Sequence, residues 1–231
     1  AVVAKALEVA QSAQAIQNTM QAQGLAVDAD VLSVASKLSS GKAQLDTIDA
    51  GIDQIYKTLC YYTGWDKGAD SVIGPVPKAD PSLIASFDLA GDTEKAVNNN
   101  YNLISMRSGS GAGMTDFQMR TTEGMTQKAN KMRTVNYSED QLRSDMKVLY
   151  DTLFEKKAAY DAASTAYQSA QMGWNAAQIQ RQNGSLSQIQ FLHQELAYLQ
   201  AEAAYKGADL NLQQAIRNYQ WAVTGVSVTV S

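Results

Sequence analysis

Apolar positions recur along most of this chain at alternating spacings of four and three residues. Val2, Ala6, Val9, Ala13, Ile16 and Met20 follow that rule, which lines them up as one narrow stripe on a helix. The pattern predicts that this helix ends near Gln23, with Gly24 in the left-handed position just beyond it. Asp28 or Asp30 suits the cap of the next helix. Its seam runs through Val31, Val34, Leu38, Leu45, Ile48, Ile52, Ile55, Leu59 and Tyr62, interrupted at Gly41. At about 1.5 Å per residue such a helix is roughly 50 Å long.

Residues 64–82 carry glycine, proline and aspartate punctuation and predict a connector. A shorter amphipathic helix is expected from Asp92 to Arg107, and the glycine-rich "RSGSGAGMTD" after it predicts a flexible stretch or a sharp turn. Residues 114–138 mix helix formers with polar residues in no clean period. From Leu142 the seam returns through Met146, Leu149, Leu153, Tyr160, Ala163, Tyr167, Ala170, Trp174 and Ala177, with charges only at Lys156 and Arg181. Persistence of this kind predicts left-handed coiled-coil packing. After Gly184 the last helix uses Ile189, Leu192, Leu196, Leu199 and Ala203, and its stripe then shifts toward Ala204, Ala208, Ala215, Tyr219 and Ala222. A shift of stripe predicts a helix that changes neighbours along its length. The tail "VSVTVS" alternates as a short strand does.

The two halves read as one helical hairpin repeated about 160 residues apart. Residues 7–45 ("LEVAQSAQAIQNTMQAQGLAVDADVLSVASKLSSGKAQL") align with 167–205 ("YQSAQMGWNAAQIQRQNGSLSQIQFLHQELAYLQAEAAY") without a gap when Gly24 is set on Gly184. Leu7 then meets Tyr167, Ala10 meets Ala170, Leu32 meets Leu192 and Ala43 meets Ala203. Each copy ends at a Thr-Gly pair, Thr63-Gly64 and Thr224-Gly225. A repeated hairpin that cannot bury its stripe alone points to an internally symmetric assembly. The expected fold is all-α, with long antiparallel coiled-coil hairpins in two internal repeats. The expected division is a first hairpin at 1–63, a connector with a short helix at 64–113, a second hairpin at 114–225 and a tail at 226–231.

Composition narrows the chemistry. The three prolines, at 75, 77 and 81, share one short window and leave long proline-free flanks, as extended helices require. A net charge of −4 across 231 residues offers no basic stripe overall and argues against nucleic acid as the principal ligand. Cys60 and His193 are single, so neither a disulfide, a thiolate metal cluster nor a Cys-His pair can be assembled. No metal, no cofactor and no catalytic residue is expected. No apolar run approaches the roughly 20 residues of a membrane span, and no signal peptide is read at Ala1, so the chain is expected to be cytoplasmic or a mature or trimmed form.

The segments "QGLAVDADVL", "FDLAGDTEKAVNNNYNLISMR" and "NGSLSQIQFLHQELAYLQAEAAYKGADLNLQQAIRNYQWAVTG", in that order, resemble the TolC-type outer-membrane efflux channel family. That family's pattern is a heptad helix, a turn of glycine, a hydrophobic residue and serine, and then a leucine-led helix with alanines and a late tyrosine. An Asp-Leu followed by an Ala-x-x-x-Asn-x-x-Leu helix links its repeats. The resemblance implies a homotrimeric hollow helical tube. The tube's turn end would meet a periplasmic adaptor protein and an inner-membrane pump. It implies that Gly24, Leu25, Ala26 and Val27, with Gly184, Ser185, Leu186 and Ser187, lie at that tip and touch the adaptor. On spacing alone the same residues read equally as ordinary helix-hairpin turns.

The family narrows its tunnel with acidic residues six and nine positions after the second turn glycine. Here those positions hold Gln190 and His193, and Asp30 takes the sixth position of the first repeat. The acidic ring is therefore weakened, and His193 adds either a charge that titrates near neutrality or a solvated side chain. A transmembrane barrel needs strands of about 9 to 11 residues with apolar alternation, and residues 108–139 contain none. The expectation is either a fragment of a longer protein or a barrel-less relative, placed in the cell envelope, periplasmic or extracytoplasmic.

Three other classes compete with an exit duct. A self-assembling helical cell-surface or appendage protein would use open head-to-tail contacts in place of closed symmetry. A helical pore-forming toxin would need an apolar hairpin that this chain lacks. An enzyme is least expected, since Asp28 and Asp30 have no partner base and suit helix caps.

Overall fold

In a computed structural model of the chain, residues 2–22, 28–66, 74, 76–109 and 120–228 are described. Every regular element among them is helical: α1 (Val2–Ala22), α2 (Asp28–Thr63), a 3-10 turn (Pro81–Ser86), α3 (Leu89–Asn99), α4 (Tyr101–Gly109), α5 (Thr122–Gln182) and α6 (Gln188–Val223). The 61 residues of α5 extend about 90 Å. The helices form two compact units, each assembled from separate stretches of chain. One joins Ala1–Pro77 to Ala163–Lys206, and the other joins Lys78–Ala162 to Gly207–Ser231.

In the first unit α1 lies against α2, with Val9 and Cys60 buried. Lys5 reaches Glu195 of α6 at 3.1 Å and Glu8 of its own helix at 2.5 Å. The end of α5 and the start of α6 form a hairpin that buries Ala177 and Leu192.

The second unit holds the larger core. Met146, Leu149 and Leu153 of α5 face Leu212, Ala215, Ile216, Tyr219 and Ala222 of α6, and Ile84 and Ala96 close the cluster. Every apolar position of the α5 seam from Leu142 to Ala177 is at least half-buried, as its four-three spacing requires. The late stripe of α6 also faces a core, through Ala215, Tyr219 and Ala222. Asp209 anchors the connector to α6: its carboxylate accepts the Ala79 N–H at 2.9 Å and the Gln213 amide at 2.9 Å. Asp88 caps α3 by accepting the N–H groups of Ala90 and Gly91, each at 3.2 Å.

Two expectations differ from what is observed, and one stretch left open by the sequence is assigned. The single helix expected from Asp92 to Arg107 is two helices, divided at Asn100. The Asn100 backbone leaves the helical region (ψ 114°), and its side-chain oxygen accepts the Leu103 N–H at 3.1 Å, so the residue that ends α3 also caps α4. Within residues 114–138, which have no clear period, Thr122 onward belongs to α5, while 114–119 lie outside the described residues. The tail residues Val226 to Val228 form no strand, and 229–231 are outside the described residues.

Candidate functional site

The most sharply built exposed feature is the turn between α5 and α6. Gly184 sits at φ 71°, where a side chain is disfavoured, and this closes α5 with two bonds: Ser185 N–H to Gln180 C=O at 3.0 Å and Gly184 N–H to Arg181 C=O at 3.1 Å. Ser187 then opens α6. Its hydroxyl accepts the Gln190 N–H at 3.3 Å, while the Gln190 side-chain oxygen takes the Ser187 N–H at 3.2 Å and its hydroxyl at 2.8 Å. Each residue satisfies the other's orphan groups, as in a capping box.

Arg181 braces the turn from beneath. Its guanidinium donates to the Leu186 C=O at 3.1 Å and to the Gln188 side chain at 2.5 Å, and it stands 5.9 Å from the centre of the Phe191 ring. Behind it the two helices are joined by a ladder of rings. Trp174 packs on Phe191 (4.7 Å between centroids) and on Tyr198 (6.3 Å), and Tyr167 packs on Tyr198 (5.7 Å) and Tyr205 (5.4 Å). The hydroxyls of Tyr167 and Tyr198 are 3.1 Å apart. That hydrogen bond, with burial, pushes the Tyr167 phenol up to about 12. The turn is thus presented by a stiffened hairpin end, with Gly184, Ser185 and Ser187 exposed and Leu186 half-buried.

Gly24, Leu25, Ala26 and Val27 lie outside the described residues. Asp30 falls in the first turn of α2. Gln190 is exposed but committed to the Ser187 cap, and His193 is exposed one turn further along α6. The sequence reading missed the brace: Arg181 was noted only as a charge interrupting an apolar seam. An arginine in the last turn before a glycine is the signal for it, because such a cation suits the carbonyl-rich end of a helix.

A second surface lies along α2. Its seam residues Ile48, Ile52 and Ile55 are 44%, 60% and 70% exposed, and Tyr61 and Tyr62 are more exposed still. Their four-three spacing is that of a packing stripe, yet among the described residues the stripe stands exposed. Among the described residues no three of His, Cys, Asp or Glu converge as a metal site, and no helix is long and apolar enough to cross a membrane.

Compared with known proteins, the chain matches no family model and no curated protein.

Proposed function

We propose that this chain is a structural component of an export system, a TolC-like exit duct. In this reading two repeated hairpins from each of three copies build a hollow helical tube, and the hairpin turns dock an adaptor protein. No reaction is involved. The observation that carries the reading is the bare α2 stripe. Ile48, Ile52 and Ile55 keep coiled-coil spacing yet stand in water in the single chain, so helices from other copies are the natural cover. The braced turn at Gly184 supports the docking role, because a rigid surface loses little freedom on binding. The left-handed glycines that end both α2 and α6, Gly64 and Gly225, are in keeping with two repeats of one unit. The duct would lie in the cell envelope, with a periplasmic adaptor and an inner-membrane pump as its partners.

The test is the mass of the native chain in solution by light scattering, with negative-stain images of the same sample. Closed trimeric hollow particles are expected. A monomer at high concentration removes the tube, and open filaments move the function to a self-assembling surface or appendage protein.

A further inference from the structure

The charge of this acidic chain is not evenly spread. Between residues 120 and 137 there are four cations, Arg120, Lys128, Lys131 and Arg133, against one carboxylate, Glu123, a local net of +3 within a chain of net −4. This segment is the start of α5, with Arg120 just ahead of it. One side of it is already used. Val135 is buried, Arg107 of α4 reaches Glu139 at 2.6 Å, and the Ser138 hydroxyl contacts the Met106 sulfur at 4.0 Å. Nearer its start the helix is uncovered, with residues 125–134 exposed all round. Met125 and Met132, seven residues apart and therefore on one stripe, are 54% and 40% exposed. At about 100° per residue, Lys128 falls on one flank of that stripe and Arg133 on the other. Among the described residues no ion pair reaches Arg120, Lys128 or Arg133.

We propose that the exposed start of α5 lies on an anionic lipid surface through the stripe of Met125 and Met132, which enter the headgroup boundary, while Lys128 and Arg133 on its flanks and Arg120 just ahead of the helix meet lipid phosphates. An exposed apolar stripe flanked by long cationic side chains has the form of an interfacial helix: the aliphatic stems follow the methionines inward while the charged ends remain at the phosphates. A nucleic acid would use the cations but gain nothing from the two exposed methionines. A peripheral contact of this kind needs no spanning segment, in keeping with the absence of one among the described residues. The inference is independent of the proposed duct.

The test is co-sedimentation of the full chain with phosphatidylglycerol-rich vesicles and with phosphatidylcholine vesicles. Binding is expected only to the former, and it weakens steeply between about 0.1 M and about 0.5 M salt. The triple variant Arg120→Gln, Lys128→Gln, Arg133→Gln should lose about fivefold in partitioning per cation, or about 100-fold in all. The double variant Met125→Ser, Met132→Ser keeps every charge and should bind about tenfold more weakly. All these positions are exposed, so helicity by circular dichroism should be unchanged in both variants. No binding to the anionic vesicles, or equal binding by the triple variant, overturns the proposal. Unchanged binding by the methionine variant, or equally tight binding to duplex DNA or polyglutamate, overturns the lipid assignment as well.

Discussion

The Tyr219 hydroxyl of α6 donates to the Asp92 carboxylate of α3 at 3.2 Å, across 127 residues of sequence, with both side chains buried. Asp92 is otherwise satisfied by Lys95 at 2.9 Å and by the Asp88 N–H at 3.2 Å. The Tyr219 ring packs on Phe87 (4.7 Å) and Tyr150 (5.9 Å), which places this bond beside the main core. Burial, and then the Asp92 charge, raise the phenol well above its ordinary value, so it remains a donor throughout the neutral range.

The two partners should therefore be unequal to lose, and their losses should not add. Tyr219→Phe leaves the carboxylate two other donors and should cost about 1 kcal/mol, whereas Asp92→Ala strands a buried hydroxyl and should cost about 2 kcal/mol or more. In urea unfolding of the two single variants and the double variant, the double should fall short of the sum by about 1 kcal/mol. Strict additivity would show that the bond contributes nothing to the fold.

The Tyr167–Tyr198 pair makes the hairpin sensitive to alkali. The folded phenol of Tyr167 is held at about 12, above the value of about 10 that it has in an unfolded chain. Its contribution is therefore fully present below about pH 10 and is lost as pH rises through about 12. Tyr167→Phe should remove this part of the alkaline destabilisation while costing about 1 kcal/mol at neutral pH, where the hydroxyl pair is lost. Equal alkaline slopes for the two proteins in urea titrations between pH 9 and about 11.5 would contradict it.

The two Thr-Gly pairs look alike in sequence but should respond differently to alanine. Gly64, at φ 71°, has open space around the position a Cβ would take, so Gly64→Ala should cost only the left-handed penalty of about 1 kcal/mol. Gly225, at φ 91°, ends α6 against α3: an added Cβ would lie 2.4 Å from the Asn99 carbonyl oxygen and 2.9 Å from the Asn100 nitrogen. Gly225→Ala should therefore be worse by about 2 kcal/mol, since backbone cannot move aside as a side chain can. Thermal unfolding of the two variants side by side is the check.

That difference marks what was legible. The α5 seam from Leu142 to Ala177, the end of α1 near Gln23 and the turn at Gly184 ahead of the last helix followed from period and turn chemistry, because each depends on residues close in sequence. The break at Asn100 was not legible. Asn98, Asn99 and Asn100 are each compatible with either continuing or capping, and here the choice falls to capping at Asn100, with the side chain that caps α4 also bonding the distant Gly225 carbonyl at 3.4 Å. Asp92 and Asp209 were invisible for the same reason, since their partners Tyr219 and Ala79 lie more than a hundred residues away. At the candidate tip the glycine was legible, but the Arg181 brace was not, because a charge on an apolar seam looks like an interruption until the carbonyl it reaches is in view.

The docking role proposed for the turn can be separated from its stability. Leu186 is half-buried at an exposed turn whose backbone is fixed by Arg181 and the Ser187–Gln190 cap. Replacing Gly184 and Leu186 with bulky charged residues should leave helicity intact and, since Gly184 has open space around it, cost about 1 kcal/mol of stability. Adaptor capture by the assembled protein should be lost. Unchanged capture would remove this turn from the docking surface.

The α2 stripe supplies the sharpest test of assembly. Ile52 and Ile55 are 60% and 70% exposed in the single chain, so glutamate at both positions meets water there and should leave the monomer's fold unchanged. In a coiled-coil contact with another copy each isoleucine would bury most of its side chain, worth about 1.5 to 3 kcal/mol, and each glutamate would instead bury a charge. Ile52→Glu with Ile55→Glu should then weaken association by more than about 100-fold at every interface and reduce the mass in light scattering to that of the 25.0 kDa chain. An oligomer that survives both changes would show that this stripe is not where the copies meet.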